Sequence, residues 1–400
     1  MHPKRIPELM RYLLKDAAIS GKLVVIMAIL ALVFVNSPLK DVFTSFWQTQ
    51  FSIGFQNYAV SMDIKHWINE GLMTFFFLVV GLEIKREIVK GELRHLKTAL
   101  LPIVSAVGGM VVPAVIYIAW NAHSPSTIQG WAIPIATDIA LAVSVLAFLG
   151  KGLPSSLRLF LLTLAIVDDI GAIVVVAFFY GGDFNVVALG AALVIAGSLL
   201  FIRKKKWLTP SLFALIGVLL WVAIKQTGIE AGITGAALGL LAPVIDHVGN
   251  KKSLAERIEK IIIPVSTLFV VPLFVLANAG VAIPTIAVTD ATIRLGLGIV
   301  FGLVLGKVIG IVGTSWVLVK LRLANLPTDT TWTQLIGIGF IAGIGFTVSL
   351  FVADLAFDDS ELLTDFSKLS VFIASVVSAT IGLLILRFTV KRRNRLADQL

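Results

Sequence analysis

Long apolar runs dominate the hydrophobic pattern along the chain. A helix needs about 20 apolar residues to cross the roughly 30 Å hydrocarbon core of a bilayer. Runs close to that length predict about twelve transmembrane helices, and two short, closely joined runs leave eleven or thirteen open. The predicted spans are 17–36, 67–84, 99–120, 130–150, 156–180, 185–202, 207–225, 229–245, 258–281, 293–319, 334–357 and 367–387.

The composition supports an all-α polytopic membrane protein. Hydrophobic residues make up 58% of the 400 residues and charged residues only 14%, whereas soluble proteins have about 45–50% apolar and about 25% charged residues. The mean hydropathy is +0.96. The polar connections are short, so we expect one integral membrane transporter domain over residues 1–400 and no separate soluble domain.

Several function classes are excluded by what the sequence lacks. There is no Cys, which excludes disulfides, thiol catalysis and Cys-ligated metal centres. The five His residues are scattered, which argues against a resident metal site. No GxxxxGK[ST] motif occurs, which argues against an ATP-driven pump.

The distribution of Lys and Arg predicts the orientation. With twelve spans, 26 of the 33 Lys and Arg residues fall at the termini and in the even-numbered loops, and 5, among them Lys368, fall in the odd-numbered loops. The positive-inside rule then places both termini in the cytoplasm. This distribution also explains the net charge of +9 without nucleic acid. The basic runs 203–206 and 392–393 are interpreted as signals for topology and for anionic lipids.

Four charged residues lie deep within predicted spans: Asp138, Asp168, Asp169 and Lys307. Each costs roughly 2.5–3.5 kcal/mol at the centre of a spanning helix, so each is a candidate for function. A structural ion pair between Lys307 and one aspartate is one interpretation. Three carboxylates against one ammonium leave surplus negative charge, which requires a proton or a cation. Clustered buried carboxylates have raised pKa values, so they bind protons readily, and their oxygens suit hard cations such as sodium. The cluster therefore predicts that protons and a cation compete for the same site.

Two of the predicted spans contain residues that interrupt helices. Pro134 precedes Thr137 and Asp138 in one span, and a run of glycines precedes Thr347 in the other. Paired broken helices indicate an inverted-repeat secondary transporter, with repeats at about 99–180 and 293–387. Close helix packing is the alternative explanation for the glycines.

A group of charged residues follows the second span. Glu83, Arg86 and Glu87 are spaced i, i+3 and i+4 and share one helical face. Glu259 and Lys260 lie near the start of the ninth span, on the same predicted side of the membrane. The group is either a solvated ion-pair cluster or part of a pH sensor.

Five segments carry a resemblance to a known family. They are FFFLVVGLEIKREIVKGEL, WAIPIATDIALAVSVLAFLG, LTLAIVDDIGAIVVVAFFY, VPLFVLANAGV and GIGFTVSLFVADLAF. Over about residues 15–390 the chain resembles the NhaA-type bacterial sodium/proton antiporters, a family that exemplifies the inverted-repeat architecture. The resemblance implies twelve helices, of which the fourth and eleventh are interrupted and crossed. It further implies electrogenic, pH-regulated exchange of sodium or lithium for protons across the bacterial inner membrane, no enzymatic activity and no cofactor.

The resemblance also implies roles for individual residues. Asp168 and Asp169 would bind the transported cation and protons, Lys307 would pair with an aspartate, and Asp138 with Thr137 would compensate the half-helix dipoles, supported by Thr347. The implied pH-response residues are Glu83, Arg86, Glu87, Glu259 and Lys260. A homodimer is implied as well, with a hairpin inside residues 43–66 contributing, although amphipathic loop packing explains that segment equally well.

The sequence departs from the family at two positions. Glu230 and Lys260 stand where family members carry histidines, and the first of those histidines is linked to the pH response. We therefore add Glu230 to the pH-response candidates and expect an activation profile shifted from the family's alkaline onset.

Three other functions compete with antiport. An intramembrane aspartyl protease would use Asp138 and Asp168 as a dyad, but the context IVDDIG lacks the GxGD motif of such enzymes. A cation channel would use the carboxylates as an acidic ring. An ion-coupled solute symporter would share the architecture and is the more serious alternative.

Overall fold

The computed structural model describes residues 8–53, 60–149, 152–182, 185–202, 208–244, 253–282 and 288–397. These residues are predominantly helical, with one two-stranded sheet. The chain forms two compact units. Unit 1 comprises Met1–Val25, His95–Ala172 and Val281–Leu400, and unit 2 comprises Ile26–Arg94 and Ile173–Gly280. Helices α1 (Glu8–Val35) and α7 (Ser155–Phe179) contribute residues to both.

Unit 1 contains most of the helices with long apolar segments. Its further α-helices are α5 (Leu96–Asn121), α6 (Ile139–Ala147), α13 (Asp290–Phe301), α14 (Lys307–Lys320), α15 (Trp332–Ala342), α16 (Phe346–Ala356) and α17 (Glu361–Ala397). A 3₁₀ helix over Ile128–Ile135 precedes α6, and a π-helical turn over Gly302–Gly306 joins α13 to α14.

Unit 2 combines helices with a short hairpin. Its α-helices are α2 (Lys40–Gln48), α3 (Ile64–His66), α4 (Met73–Lys90), α8 (Val186–Ile202), α9 (Pro210–Lys225), α10 (Ile233–Leu241), α11 (Leu254–Val265) and α12 (Val271–Asn278). The π-helical turns Trp67–Leu72 and Ser266–Val270 precede α4 and α12, and a 3₁₀ turn covers Glu92–Arg94.

The hairpin lies within the segment in which the sequence allowed one. Strands β1 (Gln50–Ile53) and β2 (Val60–Asp63) pair antiparallel, with Gln50 opposite Asp63. The indole Nε1 of Trp67 donates to the Phe51 carbonyl at 2.8 Å, which ties the hairpin to the start of the following helix.

The described helices support a multi-pass membrane protein. Six helices are long and apolar enough to cross a membrane, or up to eight if each of two bent pairs forms one span. One bent pair is α15 with α16, at an angle of 43°. Helical segments occupy each apolar run of the sequence, but several of these segments are too short to cross a membrane on their own. The count of twelve spans therefore remains a prediction.

Small residues allow α5 to pack closely against α14 in unit 1. A Cβ atom on Gly108 would lie 2.5 Å from the Gly310 carbonyl oxygen, and one on Gly306 would lie 2.9 Å from the Cα of Pro113. The hydroxyls of Ser105 and Ser315 are 2.7 Å apart across the same contact. Such small residues let helix backbones approach in a membrane, and here they fix the helix that begins with Lys307.

Candidate functional site

Two interruptions of the helical backbone meet in unit 1. The 3₁₀ helix ends at Ile135 and α6 begins at Ile139, while α15 ends at Ala342 and α16 begins at Phe346. The Asp138 amide donates to the Ile344 carbonyl at 2.6 Å, which joins the two breaks directly. Pro134 lies in the 3₁₀ segment and cannot donate a backbone hydrogen bond.

Asp138 caps two helices at this junction. Its Oδ1 accepts from the Leu141 amide at 2.9 Å, in the first turn of α6. Its Oδ2 accepts from the Thr347 amide at 3.1 Å and from the Thr347 hydroxyl at 2.7 Å, in the first turn of α16. Helix N-termini carry partial positive charge, so a carboxylate between two of them is stabilised. The structure thus gives Asp138 and Thr347 a direct interaction.

A buried ion pair lies beside this junction. Lys307 Nζ is 2.6 Å from Asp168 Oδ2, and both side chains are fully buried. Lys307 also donates to the Ile135 carbonyl at 2.6 Å, at the end of the 3₁₀ segment. The hydroxyl of Thr137 lies 2.7 Å from Asp168 Oδ2 and 2.8 Å from the Ala342 carbonyl. Because it carries one proton, it donates to one of these oxygens at a time.

The second oxygen of Asp168 is in a different situation. Oδ1 is buried and accepts no hydrogen bond from any of the described residues. A buried acceptor without a partner costs about 1–3 kcal/mol. A proton or a cation at this oxygen would remove that cost.

Asp169 follows on the same helix and is also buried, with 6% of its surface exposed. Successive helical residues are rotated by about 100°, so the two carboxylates occupy neighbouring faces of α7. The structure therefore joins Asp168 to Lys307 and Thr137 in hydrogen-bond contact. Asp169 is the next residue of the same helix. Within the described residues no group of three or more His, Asp or Glu is arranged to hold a metal ion.

Most of the residues predicted to respond to pH lie close together in unit 2, on or near α4. Arg86 Nη1 lies 3.5 Å from Glu259 Oε2, and Glu83 interacts electrostatically with both. Glu87 accepts a hydrogen bond from the Glu92 amide at 2.7 Å. Lys260, by contrast, is exposed on α11.

Glu230 has a different set of neighbours. It lies in the connection between α9 and α10, outside both helices, where its Oε1 accepts from the Gly232 amide at 3.4 Å. Burial raises the pKa of Glu230 to about 7; the Glu70 carboxylate also raises it, and Lys225 and His66 lower it. Lys225 is itself hydrogen-bonded to Glu70.

Several contacts were not found by sequence reasoning. Ser349 donates to the Ile133 carbonyl at 2.7 Å and thereby holds the 3₁₀ segment that carries Ile135. Lys368, which the sequence placed in a loop, lies within α17 with 2% of its surface exposed and forms a 2.7 Å ion pair with Asp354. That assignment to a loop was wrong and also disagreed with the predicted span 367–387, because the helix begins at Glu361, seven residues before Lys368. Asp354 lies only three residues from the end of the predicted span 334–357, so the rule for charges deep within a span did not identify it.

The fold and the site together define a class of protein. It is a multi-pass membrane protein in which buried carboxylates and one lysine meet where two helices are broken. The profile of the family described as Na+/H+ antiporter 1 matches residues 11–386. The chain belongs to this family.

Relatives resemble the chain over nearly its whole length. It is 43% identical over 383 residues to "Na(+)/H(+) antiporter NhaA 1" of Syntrophotalea carbinolica, covering 96% of this chain and 97% of the relative. It is 41% identical over 379 residues to "Na(+)/H(+) antiporter NhaA 2" of Clostridium beijerinckii, covering 94% and 93%. It is 38% identical over 387 residues to "Na(+)/H(+) antiporter NhaA" of Vibrio parahaemolyticus, covering 96% and 99%.

Proposed function

We propose that the chain is a secondary active antiporter that extrudes sodium or lithium in exchange for protons across the bacterial inner membrane. The observation that carries the proposal is the buried Asp168 carboxylate. One of its oxygens is held by Lys307 and Thr137, and the other has no partner among the described residues. The relatives are named as Na+/H+ antiporters, which supports the same function. Sodium, lithium and protons are the transported ions, and no cofactor takes part.

Charge balance explains how such a site exchanges ions. Asp168 and Asp169 carry two potential negative charges beside the single positive charge of Lys307. Buried charge has to be balanced, so the site would hold protons until a cation takes their place. Carboxylate, hydroxyl and carbonyl oxygens are hard ligands that suit sodium. Binding of sodium at Asp168 would displace the Lys307 ammonium, and Asp169 and Lys307 would each release one proton, so two protons would leave for each sodium bound.

The broken helices provide a means of changing access. Asp138 holds the first turns of α6 and α16, so the two helices would shift together as the charge of the site changes. The proposed architecture has twelve spans, crossed fourth and eleventh helices, inverted repeats and both termini in the cytoplasm. If two protons exchange for one sodium, each cycle moves one net charge. A potential of 100 mV would then contribute about 2.3 kcal/mol per cycle.

Regulation and assembly form further parts of the proposal. Glu83, Arg86, Glu87 and Glu259 would respond to cytoplasmic pH through the Arg86–Glu259 pair, with Glu230 and Lys260 adjusting the set-point. The β1–β2 hairpin would contribute to a homodimer. Anionic lipids would bind the basic segments at 203–206 and 392–393; residues 203–206 lie outside the described residues, and nothing is described of the side chains at 392–393.

Everted membrane vesicles energised by respiration test the function. Addition of sodium or lithium should collapse the proton gradient, measured as dequenching of acridine orange between pH 6 and 9. Asp168→Asn and Asp169→Asn should each abolish the response. Asp359→Asn, the same chemical change at an exposed residue, should leave it intact.

Two results would contradict antiport. The first is a wild-type protein that gives no sodium or lithium response over this pH range, which would favour ion-coupled solute symport. The second is an Asp169→Asn variant that keeps the full response, which would remove the carboxylate pair from the mechanism. Conductance far above carrier turnover without proton movement would indicate a channel instead.

A further inference from the structure

An apolar groove runs along the contact between α5 and α14 in unit 1. Its volume is about 430 Å³. The lining is apolar apart from one threonine, and it includes Val104, Val112, Ile309, Gly313, Trp316 and Val317. The groove exists because small residues bring the two helix axes close together and leave little side-chain volume beside the contact.

The groove faces outwards from unit 1. Ile309, Trp316 and Val317 have 55%, 50% and 46% of their surfaces exposed. A Cβ atom built on Gly313 would meet no other atom within 4 Å. In a multi-pass membrane protein, an exposed apolar surface of this kind is covered by lipid hydrocarbon.

The length of the groove matches one leaflet. From Ile309 to Val317 the helix rises about 12 Å at 1.5 Å per residue. Half of the roughly 30 Å hydrocarbon core is about 15 Å. An acyl chain entering at the Trp316 end would therefore extend along α14 to within two residues of Lys307.

Positive charge stands at the Trp316 end. Lys320, the last residue of α14, places its ammonium 4.5 Å from the centre of the Trp316 ring. Arg322 follows and is exposed in the turn after the helix. Tryptophan is enriched at the level of the lipid headgroups, and lysine side chains reach towards them. This end of the groove is therefore suited to a phosphate group.

We propose that this groove binds one acyl chain of an anionic phospholipid, with the lipid phosphate held by Lys320 and Arg322. The site is distinct from the basic segments at 203–206 and 392–393. It depends on the chain being a membrane protein and is independent of antiport. Because α14 begins at Lys307, the bound lipid would occupy the outer face of the helix that supplies the buried ammonium.

The test uses the full-length protein in phosphatidylcholine nanodiscs that contain a small fraction of brominated lipid. Bromine quenches tryptophan fluorescence at contact, and subtracting the signal of Trp316→Phe isolates Trp316. We expect brominated phosphatidylglycerol to quench Trp316 on the order of thirtyfold more effectively than brominated phosphatidylcholine. This corresponds to about 2 kcal/mol for two basic residues near the headgroups.

Two variants test the phosphate end and the acyl-chain groove separately, and a third serves as a control. Lys320→Gln should remove most of the preference for phosphatidylglycerol. Gly313→Leu should lower quenching by both lipids, because a Cβ atom built on Gly313 meets open space and the longer side chain would extend into the groove. Gly190→Leu is the matched control, since Gly190 is a helical glycine of α8 that likewise has no atom within 4 Å of a built Cβ. Equal quenching by the two lipids, or an equal loss in Gly190→Leu and Gly313→Leu, would overturn the proposal.

Discussion

The Lys307 side chain shows how a charge is kept in the interior of a membrane protein. Its ammonium contacts the Asp168 carboxylate at 2.6 Å and the Ile135 carbonyl at 2.6 Å. Removing two charges from water costs several kcal/mol for each ion, and close geometry with additional hydrogen bonds repays that cost only in part. The pair is thus more readily explained by a role in ion exchange than by a contribution to stability.

Substitution of Lys307 tests whether the buried ion pair serves ion exchange rather than stability. Lys307→Met should destabilise the protein by about 3–5 kcal/mol or force Asp168 to bind a proton, because it leaves a buried carboxylate without its ion partner. The double variant Lys307→Met/Asp168→Leu should recover most of the stability and have no transport activity. The measurement is thermal unfolding in detergent together with the vesicle assay.

The control for this experiment is Lys391→Met, the same change at an exposed lysine of α17, which should alter stability by less than about 0.5 kcal/mol. A double variant as unstable as the single variant would show that the pair contributes to the fold through its shape and packing.

At the scale of single residues, sequence reasoning identified the deep charges but not all of their partners. The cost of a charge within an apolar run is visible in the sequence, so Asp138, Asp168, Asp169 and Lys307 were found. The Ile135 carbonyl was not, because a free backbone acceptor depends on where the 3₁₀ segment ends. Which aspartate pairs with Lys307 is likewise decided by packing between distant parts of the chain.

At the scale of elements, Asp138 joins two helices that are more than 200 positions apart in the sequence. Each hydrogen bond to a helix N-terminus contributes about 0.5–2 kcal/mol. Because one carboxylate serves α6 and α16, the first turns of both helices depend on the same side chain.

We therefore expect Asp138→Ala to loosen both helices together. Amide hydrogen exchange should accelerate in the first turn of α6, around Leu141, and in the first turn of α16, around Thr347. Asp138→Asn should have a smaller effect, because its single amide oxygen can replace one of the two acceptors. Exchange that accelerates in only one of the two helices would contradict the double cap. The exposed substitution Asp359→Ala serves as the control.

The elements also show where the hydrophobic pattern is informative. Apolar runs located the helical segments because membrane helices must present apolar side chains over their whole length. Backbone departures were suggested near Pro134 and near the glycines before Thr347, since these residues interrupt helices. The π-helical turn Gly302–Gly306 was not predicted, because one additional residue in a turn leaves the composition of an apolar run unchanged.

At the scale of the whole molecule, composition established the membrane class, but nothing in the sequence marked the division into two units. Each unit is assembled from separate parts of the chain, and apolar runs occur in both. The buried Asp168–Lys307 pair belongs to unit 1, whereas Glu230 and the Arg86–Glu259 pair belong to unit 2. Substitutions at the titratable groups of unit 2 therefore change no residue of the buried pair.

Glu230 provides such a test through the pH dependence of stability. Its pKa is raised from 4.5 to about 7, chiefly by burial and also by the Glu70 carboxylate. Between these two values the folded protein keeps a proton that the unfolded chain loses, so the free energy of unfolding should fall as the pH rises from about 4.5 to about 7. Glu230→Gln carries no ionisable group and should remove this part of the decline. The melting temperature in detergent between pH 5 and 8 measures it, with Glu361→Gln at an exposed position as control. An unchanged slope in Glu230→Gln would show that the group titrates at its ordinary value and would remove it from the proposed pH response.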